Sequence, residues 1–128
     1  MKIEHTALHC MDLEGMKAFF VDYFQAIPNT LYHNPRTGLR TYILGFPDGD
    51  ARLEIMTRPE VHGDNSDPYR SGLIHISFAT GSPEAVDTLT ARLSADGYST
   101  VSGPRITGDG YYESCVRGFE GILVEITV

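Results

Sequence analysis

The chain reads as one run of elements written twice, and a repeat of that kind limits the fold more than any single residue does. Each half is strand, helix, strand, strand, strand. Residues 72–79 show the second half's first strand most clearly. Ile74, Ile76 and Phe78 share one parity, while Leu73, His75, Ser77 and Ala79 share the other, the period of a strand with two unlike faces. Ser82-Pro83-Glu84 then opens a helix with a cap, a proline in its first turn and an early acid. Val86, Leu89 and Leu93 give that helix an apolar face, and Gly97 ends it. Strands are expected at 98–102, 111–117 and 122–128, with a loop over 103–110 and a turn at Phe119-Glu120-Gly121.

The first half runs in the same order. Residues 2–9 alternate weakly as a strand, and Asp12 caps a helix whose face is Leu13, Met16, Phe19, Phe20, Tyr23 and Phe24. Such an aromatic stripe at helical spacing is core. Pro28 is expected to stop the helix. Strands at 29–33 and 39–46 flank the turn-forming Asn34-Pro35-Arg36-Thr37-Gly38, and 52–56 is the last strand of the half. Residues 58–71, with two prolines and no periodicity, read as a linker. The expected fold is therefore α+β: two βαβββ modules in tandem, 1–57 and 72–128, forming one structural domain with a cupped mixed sheet.

Each half places a histidine on its first strand and a glutamate on its last. A histidine between isoleucines, or a glutamate within an amphipathic strand, is by itself unremarkable. Here both recur. His5 and His75 are 70 positions apart, and Glu54 and Glu125 are 71 apart. Surface decoration does not preserve two ligand-type residues at matched ends of a repeat. Related by a pseudo-twofold, the modules would bring His5, Glu54, His75 and Glu125 to one concave face. Two imidazoles and two carboxylates suit a divalent ion such as Zn²⁺, Ni²⁺, Co²⁺, Fe²⁺ or Mn²⁺. Without a thiolate, the set has the chemistry of a catalytic centre, with water completing an open shell.

Composition removes several other classes. A net charge of −7, with ten scattered basic residues, argues against nucleic acid. No apolar stretch is long enough to span a bilayer, and the N-terminal residues lack the apolar core of an export signal, so a cytoplasmic location is expected. Cys10 and Cys115 do not form a disulfide framework.

From His5-Thr6-Ala7-Leu8 to Gly121-Ile122-Leu123-Val124-Glu125-Ile126, the sequence resembles the vicinal oxygen chelate superfamily. That group includes glyoxalase I, fosfomycin-resistance enzymes, bleomycin-binding proteins, methylmalonyl-CoA epimerase and extradiol dioxygenases. The pattern His5, Glu54, His75, Glu125 is most similar to short bacterial glyoxalase I. The resemblance implies a metal site of these four residues, with Ni, Co or Zn favoured. It also implies a lactoylglutathione lyase-type isomerisation of a hemithioacetal, with Glu125 as the leading base and Glu54 as its counterpart. It further implies a homodimer whose sites take His5 and Glu54 from one subunit and His75 and Glu125 from the other. Two positions depart from that pattern: His9 stands where an arginine contacts glutathione, and Arg58 near the place of an asparagine. These changes bear on the thiol and leave the metal set intact. A metal-free binding protein, or another metal enzyme of the superfamily (an epimerase, a thiol transferase or a dioxygenase), is the alternative on this scaffold.

Overall fold

A computed structural model describes residues 1–63, 69 and 71–128. The chain divides into two compact units, Met1–Gly63 and Asp64–Val128. Of the expected linker 58–71, residues 64–68 and 70 lie outside the described residues.

In the first unit, strand β1 (His5–His9) leads to helix α1 (Leu13–Phe24), then to β2 (Ile27–Pro28), β3 (Tyr32–Asn34), β4 (Leu39–Phe46) and β5 (Gly49–Thr57). The sheet order is β1-β5-β4-β2, with β3 also on β4; β1 runs parallel to β5 and the other pairs are antiparallel. Asp12 caps α1 as expected, its Oδ1 accepting from the Gly15 amide at 3.0 Å. Leu13, Met16, Phe19, Phe20 and Phe24 are buried on the helix, as are Leu44, Leu53 and Ile55 on the strands. Burying one such side chain contributes about 1.5–3 kcal/mol, so this face, not helix propensity, holds the unit together.

Pro28 does not end α1. The helix finishes at Phe24 because Gln25 takes a left-handed conformation (φ 57°), and Pro28 falls in the two-residue edge strand β2. An edge position tolerates a residue without an N–H. The strand expected at 29–33 is accordingly displaced to Tyr32–Asn34.

The second unit repeats this with β6 (Ile76–Ala79), α2 (Pro83–Ala95), β7 (Ser99–Ile106), β8 (Tyr112–Arg117) and β9 (Leu123–Thr127), in sheet order β6-β9-β8-β7. The Ser82 hydroxyl caps α2. Val86, Leu93, Val116, Val124 and Ile126 are fully buried. Beneath the helix, two buried hydroxyls satisfy each other: Thr90 and Ser114 lie 2.6 Å apart, and Thr90 also donates to the Val86 carbonyl.

Two boundaries differ from expectation here. The β6 ladder begins at Ile76, opposite Val124, so His75 is the residue just ahead of the strand. β7 extends to Ile106, through half of the expected loop, by means of register shifts against β8. Gly103 makes this possible. Its φ is +75°, and a Cβ there would collide with the Glu113 carbonyl and approach the Ser114 Cα to 2.9 Å.

Candidate functional site

In the first unit the parallel pairing sets His5 against Arg52 and Ala7 against Glu54. Alanine leaves room beside Glu54, and His5 lies two residues back on the same side of β1. His5 Nε2 faces Glu54 Oε2 at 3.8 Å. The other carboxylate oxygen, Oε1, accepts from the Thr41 hydroxyl at 2.9 Å, and Thr41 is itself buried on β4. One oxygen is thus held by the protein, and the second is directed at the imidazole.

The second unit makes the same arrangement with different parts. Ser77 pairs directly with Glu125 and donates to its Oε1 at 2.7 Å. His75 Nε2 faces Glu125 Oε2 at 3.5 Å. The flanking Val124 and Ile126 have no exposed surface, so alternation places Glu125 on the face away from α2. Cys115 lies opposite Glu125 across β8–β9, and Glu113 is two residues further along the same face. Burial, and then the negative charge of Glu125, pushes the Glu113 carboxyl above its usual range. The same two causes raise the half-buried Cys115 thiol. The sequence repeat contained no counterpart that would have flagged Glu113, Thr41 or Ser77.

The structure therefore brings His5 to Glu54 and His75 to Glu125. Among the described residues, no group of three or more His, Cys, Asp or Glu side chains is arranged to hold a metal; each unit presents two donors. The donor pairs fit a first-row ion in kind, imidazole nitrogen with carboxylate oxygen. In spacing they come near it. Two ligands each about 2.0–2.2 Å from one ion stand roughly 3.0 Å apart at the right angle of an open octahedral shell. The 3.5 Å of His75–Glu125 and the 3.8 Å of His5–Glu54 would each close by several tenths of an ångström on an ion.

The model of the Glyoxalase/Bleomycin resistance protein/Dioxygenase superfamily matches residues 2–126. The chain belongs to this superfamily. Three solved structures illustrate how far the glyoxalase fold carries. A glyoxalase/bleomycin resistance protein/dioxygenase domain from a Frankia species is 19% identical, with a TM-score of 0.83 over 100% of this chain and 97% of its own. A lactoylglutathione lyase from Agrobacterium tumefaciens is 22% identical, with a TM-score of 0.69 over 98% and 92%. A trypanothione-dependent glyoxalase I from Leishmania major is 16% identical, with a TM-score of 0.77 over 99% and 86%. No curated protein matches. No helix among the described residues of this superfamily member is long and apolar enough to cross a membrane.

Proposed function

We propose that His5, Glu54, His75 and Glu125 together hold one divalent cation, Ni²⁺, Co²⁺ or Zn²⁺ before Fe²⁺ or Mn²⁺, and that the protein is a glyoxalase I-like isomerase of a hemithioacetal. The observation that carries this reading is the repetition of one device. In both units an imidazole Nε2 faces a glutamate Oε2, while a hydroxyl engages Oε1. Two unrelated surface pairs would have no reason to share that arrangement.

The bound ion would supply electrostatic stabilisation of negative charge developing on the substrate oxygens. Proton movement falls to the glutamates. Glu125 Oε2 takes the proton from the carbon that carries sulfur and returns it to the adjacent carbonyl carbon, while a hydroxyl proton crosses to the second oxygen. Nothing is gained or lost overall, so the reaction is an isomerisation. Ser77 keeps Oε1 occupied, which leaves Oε2 as the atom that turns between ligand and base. Glu54, with Thr41 behind it, is the corresponding group for the opposite stereoisomer.

The same reading makes the protein a homodimer with shared sites. β1 and β6 each stand at the edge of their own sheet, and an edge strand is a natural place for another chain to join. The thiol is the open choice. Arg58 is engaged by Glu60 through Nε at 2.8 Å rather than standing free, and the Leishmania neighbour is described as trypanothione-dependent. The decisive experiment combines metal analysis of purified protein with a screen of hemithioacetals made from glutathione and from other thiols, in the presence of each metal. About one ion per four-residue set, and turnover that chelation abolishes, is the expected result. A protein that takes up no ion at micromolar metal refutes the reading. Light scattering that gives a monomer removes the shared-site version.

A further inference from the structure

The two histidines are not supported alike. His5 Nδ1, the ring nitrogen turned away from Glu54, is hydrogen-bonded to the Glu4 carboxylate. Glu4 is in turn engaged by the Arg52 guanidinium, and its backbone carbonyl accepts from the Arg52 amide at 3.1 Å. Arg52 is the residue that the β1–β5 ladder sets directly against His5. A cation, a carboxylate and an imidazole are thus linked in sequence and end at the Nε2 that faces Glu54.

The positions that the repeat relates to this pair, 70 and 71 residues on, are Ile74 and Leu123. Both members have changed, and both are apolar. Among the described residues no carboxylate backs the ring of His75. The charged pair is therefore a property of the first unit and not of the fold.

We infer that Glu4, clamped by Arg52, is a positioning residue that fixes the tautomer of His5 and makes His5–Glu54 the tighter half of the metal set. This rests on the proposed metal site. An ionised carboxylate can only accept, so the neutral imidazole must carry its hydrogen on Nδ1. The lone pair is then left on Nε2, on the side of Glu54, where a metal would need it. Rotation of the ring is also opposed, because it would break the bond to Glu4. His75 has no such constraint on Nδ1 among the described residues; the carboxylate that faces it, Glu125, stands at Nε2. The consequence for chemistry is a division of labour. The first pair anchors the ion, and the second pair can loosen so that Glu125 is free to move a proton.

The test uses Glu4→Gln, Glu4→Ile and the double variant Glu4→Ile/Arg52→Leu, which gives the first unit the pair already present in the second. The side chains of Glu4 and Arg52 are 52% and 45% exposed, and an ion pair that exposed contributes little to folding. Two readouts separate the inference from the reading beneath it. In metal-free protein, nitrogen-15 shifts report the His5 tautomer. The parent is expected to hold the proton on Nδ1, Glu4→Gln to keep most of that preference through its amide oxygen, and the two Ile-containing variants to lose it. Titration with Ni²⁺ or Zn²⁺ is expected to show affinity about 10–100-fold weaker in the Ile-containing variants, the usual consequence of removing a group that orients a ligand. An unchanged His5 tautomer in folded Glu4→Ile/Arg52→Leu overturns the inference, whatever the metal does. Unchanged metal affinity in a protein whose parent binds the ion overturns it as well. A parent that binds no metal overturns the proposed site, while the tautomer measurement still decides the role of Glu4.

Discussion

Replacing Glu125 with glutamine tests the proposed chemistry with least disturbance to the fold. Glutamine has the same shape, so its amide oxygen can keep the bond from Ser77, which is 2.7 Å long in the parent. The amide nitrogen then occupies the place of Oε2, 3.5 Å from His75 Nε2. It can donate to that ring but can neither accept a proton nor ligate an ion. Val124 and Ile126, the neighbours that hold β9 to the core, are unaffected and have no exposed surface. A change on the open face of a strand that leaves such packing intact shifts stability by less than about 1 kcal/mol, and removing a charge beside Glu113 offsets part of that. Loss of a general base costs on the order of 10²–10⁴ in rate, equivalent to about 2.7–5.5 kcal/mol of transition-state stabilisation. The assay is turnover of the best hemithioacetal at saturating metal, alongside metal affinity and thermal unfolding of the metal-free protein. The expected result is nearly complete loss of kcat, weaker metal binding and an unchanged fold. Glu84, exposed in the first turn of α2, is the control, and Glu84→Gln is expected to behave as the parent does. Metal-loaded Glu125→Gln turning over near the parent rate would show that Glu125 is not the base.

Three further outcomes are expected. Phe20 has no exposed surface and packs against Phe19 and Phe24, so Phe20→Ala should cost about 3–5 kcal/mol in a denaturant titration, and a loss below 1 kcal/mol would mean the core lies elsewhere. Gly103→Ala asks a side chain to adopt φ +75° against the Glu113 carbonyl; it should destabilise the second unit by more than about 1 kcal/mol, visible as faster amide exchange in β7 and β8. The Tyr112 hydroxyl donates to Asp87 at 2.7 Å, and this bond holds the phenol above its usual range. A raised pKa in the folded state means that this contribution to stability is present below the unfolded tyrosine value and fades as pH rises through the folded one. Spectrophotometric titration of Tyr112→Phe should therefore lose a phenol that ionises late, and loss of one that ionises at the ordinary value would contradict the assignment.

Alternation, helical spacing and the repeat are local or arithmetical properties, so they were legible without coordinates. Asp12 and Ser82 as caps, the buried stripe of α1 and strand β4 at Leu39–Phe46 all follow from side-chain period and short-range hydrogen bonding. The correspondence of His5 with His75 and of Glu54 with Glu125 was legible for the same reason, since a duplicated unit repeats its positions. The facing of each histidine to the glutamate of its own unit is read from the structure. What remained hidden depends on which strand becomes the neighbour of which. Thr41 reaches Glu54 from an antiparallel neighbour, whereas Ser77 reaches Glu125 from a parallel one. No repeat in the sequence relates those two hydroxyls. Pro28 looked like a helix stop because its effect on the backbone is local, yet the helix had already ended at Gln25, and an unpaired N–H position on β2 was what suited proline. Glu4 and Arg52 are 48 positions apart and each is unremarkable along the chain. Only the parallel β1–β5 ladder sets Arg52 beside His5 and so turns an exposed acid and base into the support of one imidazole.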